Sequence, residues 1–286
     1  MLPYRPMERF LGGLCLLGGL AIAASAQTLP PQPTGVPDPR PAAGAQAGDV
    51  PSTVQAFTAN QSAHALDMPT SRTCRTLEGW TVLVDDRLLH APSDELGTRA
   101  LRFLEGKLAD IRAVVPEDRL HALQRVTIVL DLTHGRLTAM QYHPSAEWLK
   151  NNGYDPHLAK CVHLPKAADL ATPRNIREQP WVILHELAHA YHDQVLGFDE
   201  PRILEAYQRY RQRCGDEKTL HCNGRRVKHY ALTNHKEFFA EMTESYFGVN
   251  DFFPFNRGEL KESQPEIYEL LRSVWETPSL PSKLSD

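Results

Sequence analysis

The stretch Trp181-Val-Ile-Leu-His185-Glu186-Leu-Ala-His189-Ala-Tyr-His-Asp193 constrains this chain more than any other. Its apolar residues recur with helical period, and two histidines four apart on a helix share one face, a turn apart. Their ring nitrogens can reach a single cation, and neutral imidazole is a natural ligand of Zn²⁺. Glu186, one step round the helix from His185, can reach a metal-bound water without being a ligand, as a general base must. Leu184, Leu187, Ala188 and Ala190 predict a buried helix, Pro180 suits its first turn, and Gly197 suits a stop just past its end. These surroundings weigh against the bland alternative of two ordinary helical histidines.

The ends of the chain are different material. Residues 1–26 read as an export signal: Arg5 and Arg9 precede an apolar run from Phe10 to Ala24, and Ala24-Ser25-Ala26 supplies a cleavage site. That run is too short to span a bilayer comfortably, so a secreted or periplasmic product without a stable membrane anchor is expected. Residues 27–70, punctuated by Pro30, Pro31, Pro33, Pro37, Pro39, Pro41 and Pro51, cannot bury enough apolar surface to offset ordering. They read as a linker or pro-segment. Asn60-Gln61-Ser62 fits a glycosylation sequon.

From 71 to 286 the chain suits one domain, or two lobes sharing a cleft. The net charge of −4 gives no case for nucleic acid, and the basic residues Arg202, Arg209, Arg211, Arg213, Arg225, Arg226 and Lys228 read as a solvated face. Beyond Cys15 in the signal, Cys74, Cys161, Cys214 and Cys222 are an even set in an exported chain, which argues for disulfides. Gly215 and the polar residues around it favour Cys214–Cys222, leaving Cys74–Cys161.

Strands are predicted at 80–84 and 125–132, and a helix where Leu101, Leu104, Leu108, Ile111 and Val115 recur at spacings of three and four. Residues 133–160 read as loop-rich. Cys161-Val-His-Leu164, bounded by Pro165, reads as an edge strand able to receive an extended peptide. Ser263-x-x-Glu266 opens a last helix. The fold class is α+β: a small twisted sheet with an edge strand, and a helical lobe.

A catalytic zinc site with two histidines and a water needs one more protein ligand. The candidate segment is Tyr230-Ala-Leu-Thr-Asn234-His-Lys-Glu237-Phe-Phe-Ala-Glu241-Met-Thr-Glu244-Ser-Tyr246-Phe. Glu237, Glu241 and Glu244 overlap on one helix face, where like charges repel unless a cation or imidazolium lies opposite. Asn234-x-x-Glu237 could instead be a capping box, which leaves Glu241 without a partner.

His-Glu-x-x-His followed by Tyr-x-x-Thr-Asn-x-x-Glu-Phe-Phe-Ala-Glu resembles the gluzincin metallopeptidases, particularly the catalytic domain of anthrax lethal factor. The run from Ala231 through Asn250-Asp-Phe-Phe-Pro-Phe255 resembles exported proteins related to fungal conidiation-specific protein 13. The resemblance implies a zincin-like fold, His185, His189 and Glu237 as ligands of one Zn²⁺, and Glu186 as base. It implies Glu241 as an outer carboxylate on a ligand histidine, Tyr230 as hydrogen-bond donor to the oxyanion, and a less defined role for Asp193. The intervening basic helix and Cys214–Cys222 loop depart from the lethal-factor pattern.

The function expected is a zinc metallopeptidase acting on peptide or protein substrates. The alternative is an exported zinc-binding structural or binding protein without turnover, which would draw a fourth ligand from His192, His221, His229 or His235.

Overall fold

The computed structural model describes residues 68–215 and 217–276. The export signal at 1–26, the sequon at 60–62 and all but the last three residues of the 27–70 segment lie outside the described residues.

The architecture is α+β. Five strands lie in the order β1 (Arg72–Leu77), β2 (Trp80–Asp85), β3 (Ile128–Leu130), β5 (Val162–Leu164), β4 (Gln141–Tyr142). The three inner strands run parallel, with Ile128 paired to both Val82 and Val162, and the outer two are antiparallel. Alternation sends Val82, Val84, Ile128, Leu130, Val162 and Leu164 to one face. There they meet α1 (Asp94–Val114), whose Ala100, Leu104, Leu108 and Ile111 are buried. Each such Leu or Ile contributes about 1.5–3 kcal/mol of burial energy. Asp94 and Glu95 complement the positive end of α1, and Pro116 just beyond Val115 blocks its continuation. The short α2 (Glu117–Gln124) follows.

The opposite face carries Val129, covered by Leu137, Leu158 and Leu149 of α3 (Ala146–Asn151). After α4 (Pro173–Arg177) come α5 (Val182–Tyr191), a π-helical turn over His192–Leu196 closed by Gly197 at φ 83°, and α6 (Pro201–Cys214). Pro180 precedes the Trp181 cap of α5 instead of lying inside it. A separate hairpin, β6 (Lys218–Leu220) with β7 (Arg226–Lys228), leads to α7 (His235–Phe247), α8 (Arg257–Ser263) and α9 (Pro265–Trp275). Among the described residues no helix is long and apolar enough to cross a membrane.

Two expectations are corrected. The edge beside α5 is β4, not 161–164: β5 is internal because Tyr142 pairs with Val162, while His143 N donates to Cys161 O (3.1 Å) and Lys160 N to His143 O (2.7 Å). All four cysteines are free thiols. Cys74 lies on β1, three strand spacings or about 14 Å from the β5 position, far beyond the Cα separation a disulfide tolerates. Cys214 and Cys222 are likewise unbonded; Cys222 N donates to Asp251 O (2.8 Å) and its Sγ faces His221 Nδ1.

Candidate metal centre

α5 is buried along nearly its whole length, and α7 is buried from Glu237 to Tyr246. Asn234 caps α7 by accepting from Lys236 N (2.9 Å) and Glu237 N (3.0 Å). The cap half of the capping-box pattern is therefore present, while the Glu237 side chain turns to the histidines. At the other end, Gly248 lets the Trp181 ring, at the start of α5, lie where a Cβ would stand.

The two helices bring His185, His189 and Glu237 together. His185 Nε2 lies 3.1 Å from Glu237 Oε2 and 3.1 Å from His189 Nε2, and His189 Nε2 lies 3.3 Å from Glu237 Oε2. Donor atoms around a tetrahedral zinc with bonds near 2.0–2.1 Å stand roughly 3.3 Å apart, so the triangle has the size of one face of such a site. Burial alone would raise the Glu237 carboxyl, but the imidazoles of His189 and His185 outweigh it and hold it well below its usual range. Among the described residues, His192, His221, His229 and His235 do not join this group.

Behind the triangle, His185 Nδ1 donates to Glu244 Oε1 at 2.6 Å, and Glu241 Oε1 lies at 3.5 Å. Glu241 is also gripped by Asn250, whose Nδ2 donates to its Oε2 (3.2 Å) and its backbone carbonyl (2.6 Å). A proton on Nδ1 leaves the Nε2 lone pair facing His189 and Glu237, the tautomer a metal ligand requires.

Glu186 points to the sheet, where its Oε2 accepts from Tyr142 N at 2.8 Å. Asp193 Oδ2 accepts from Tyr142 Oη (2.6 Å) and Lys160 Nζ (2.5 Å), and Gln194 Nε2 donates to the same phenol oxygen (3.1 Å). Tyr230 opens a short 3₁₀ turn, Tyr230–Leu232, directly ahead of α7. The four cysteines take no part in the triangle.

Sequence reasoning gave no role to Glu244 or Tyr142. The position of Glu244, seven after Glu237, signals a shared face; a two-residue strand such as β4 has no periodicity to read. It also missed a second buried group, Asp131, His134 and His163. Here His134 Nδ1 and His163 Nε2 lie 2.7 and 2.9 Å from one oxygen, Asp131 Oδ2, which is hydrogen-bond spacing. Arg72 grips both oxygens, Nε to Oδ1 (2.7 Å) and Nη2 to Oδ2 (2.8 Å). Burial would raise the Asp131 carboxyl, yet Arg72, His134 and His163 lower it strongly. With a guanidinium filling the carboxylate, this is a buried hydrogen-bonded network that ties β1, β3 and β5 together.

No curated protein and no solved structure matches the chain. Residues 158–276 match the family model described as Glucose-regulated metallo-peptidase M90. That stretch contains α5, α7 and every member of the His185, His189, Glu237 triangle, whereas β4 with Tyr142 lies outside it. Over 158–276 this chain is thus similar to a metallopeptidase family, and the residues that converge there include a group able to hold the metal ion such an enzyme needs.

Proposed function

We propose that the chain is an exported zinc metallopeptidase of zincin type that hydrolyses peptide bonds. The observation that carries this reading is the His185–His189–Glu237 triangle, with Glu186 beside it on the same helix. Two imidazoles and one carboxylate are the donor set of an open catalytic zinc site, with one position left for water or substrate. His185, His189 and Glu237 would hold the ion. When bound, it supplies a polarised scissile carbonyl and a water whose pKa falls towards neutrality. Glu186 accepts the proton of the attacking water and returns it to the departing amine. The Tyr230 hydroxyl donates a hydrogen bond to the oxyanion as it forms. Glu244 and Glu241 hold His185 in the required tautomer. The motif at 1–26 supports export to a periplasmic or extracellular space.

The test is digestion of an unbiased peptide mixture by zinc-loaded protein beside Glu186→Gln. Products from the wild type alone support the reading. If both proteins bind zinc and neither cleaves, the chain is a zinc-binding protein without turnover.

A further inference from the structure

The edge strand β4 is only two residues long, and a ladder that short does not fix a backbone position by itself. Yet its Tyr142 N–H is the donor that aims the Glu186 carboxylate, and an N–H donating to an ionised carboxylate is a strong, directional contact. Some other device must hold β4 still. On the sheet's far side, His143 Nε2 lies 3.3 Å from His163 Nδ1, joining β4 to the buried Asp131 network. On the near side the anchor is Asp193, just past the end of α5.

Three observations converge on Asp193. Its Oδ2 accepts from the Tyr142 hydroxyl at 2.6 Å, and Tyr142 is 3 % exposed, so this contact is well shielded. Gln194 donates to the same hydroxyl, so the phenol is used both as donor and as acceptor and its rotor is fixed. Lys160, in the left-handed region at φ 62°, donates its backbone N to His143 O and its Nζ to Asp193 Oδ2. The Lys160 side chain is half exposed, so its ion pair is the minor part of the clamp and the Tyr142 hydroxyl the major part.

We propose that Asp193 is a positioning residue for Glu186: it clamps Tyr142, and through it the β4 backbone, so that the Tyr142 N–H holds the Glu186 carboxylate in line for its proton transfer. The inference rests on Glu186 being the base of a hydrolase. A displacement of about 1 Å at such a group is enough to cost about a hundredfold in rate.

The test uses the full chain with Asp193→Ala, Tyr142→Phe and the double variant. Hydrogen exchange at the Tyr142 amide in the metal-free protein is read first, then zinc affinity, then kcat and KM separately. Either single variant is expected to speed Tyr142 amide exchange about tenfold and to leave zinc affinity within about twofold. Each should lower kcat about a hundredfold with KM nearly unchanged. The double variant should fall no further than the worse single one, since both remove the same link. Unchanged Tyr142 exchange in both single variants overturns the proposal whatever the activity. Faster exchange with unaltered kcat overturns it too, leaving Asp193 a merely structural tie. A wild type that cleaves nothing removes the peptidase reading instead, and the proposed role of Asp193 with it, while the exchange rates still decide whether the clamp exists.

Discussion

His185 Nδ1 lies 2.6 Å from Glu244 Oε1 and 3.5 Å from Glu241 Oε1, so the tighter grip on this imidazole comes from the carboxylate further along α7. Outer carboxylates of this kind typically change metal affinity by about 10–100-fold when lost. Glu244→Gln should therefore weaken zinc binding by that order, and Glu241→Gln by less, because Glu241 divides its oxygens between His185 and Asn250. Chelator competition on the two variants reads the difference; equal losses would place both carboxylates on His185 equally.

Glu237 and Glu186 should separate cleanly. Removing Glu237 takes one donor from a three-donor group, so Glu237→Ala should release zinc at chelator concentrations that leave the wild type loaded. Glu186 accepts from Tyr142 N and is not one of the three donors, so Glu186→Gln should keep zinc affinity and lose about 10²–10⁴-fold in kcat. Metal content after dialysis, measured beside turnover, distinguishes the two.

Acid should destabilise the metal-free protein through its buried imidazoles. Burial, with help from His163 and His134, pushes His143 down to about 3, and burial does the same to His192. The unfolded chain binds a proton at each site near pH 6.5, where the native one does not. Stability is thus fully present above about 6.5 and is lost as pH falls towards 3, by about 1.4 kcal/mol per pH unit for each histidine. His143→Gln should flatten the urea-midpoint profile across that window by about one proton's worth, and an unaltered slope would deny that His143 is neutral in the fold.

The contact of Gly248 with Trp181 should be sensitive to a single methyl group. A Cβ at 248 would stand 2.1 to 2.4 Å from three atoms of the Trp181 ring, a rigid neighbour that cannot simply swing aside. Gly248→Ala is expected to cost about 1–3 kcal/mol in urea unfolding. Trp181 caps α5, so the variant should also weaken zinc binding; stability lost with affinity intact would show that the cap and the ligands move independently.

The helix α5 with its paired histidines was legible because its signal is local: helical period, two histidines four apart and a following glycine all sit within residues 181–197. The alignment of Glu237, Glu241 and Glu244 was legible for the same reason, and their burial explains why each needs a partner. Which carboxylate meets His185 more closely depends on how α5 crosses α7, a packing relation no spacing encodes. β4 escaped for a different reason. Two residues carry no alternation, and their pairing with β5 is set by contacts from His143, Lys160 and Asp193, far apart in sequence. The disulfide expectation failed because a count of cysteines carries no distances, and the sheet order puts Cys74 and Cys161 several strands apart.

The π-helical turn at His192–Leu196 can be read as the trace of an added residue. A helix that gains one residue and refuses to shift its phase must bulge, and this one bulges within a turn of His189. Excising one position between 194 and 196 would restore ordinary winding there, and the Gly197 turn that closes the helix would follow one residue sooner. The part of α5 that faces Glu237 and Glu244 would keep its phase, because those contacts lie before the bulge. The bulge thus lets the stretch past Tyr191 hold one residue more, Asp193 and Gln194 among those it carries, without turning His185 and His189 away from α7.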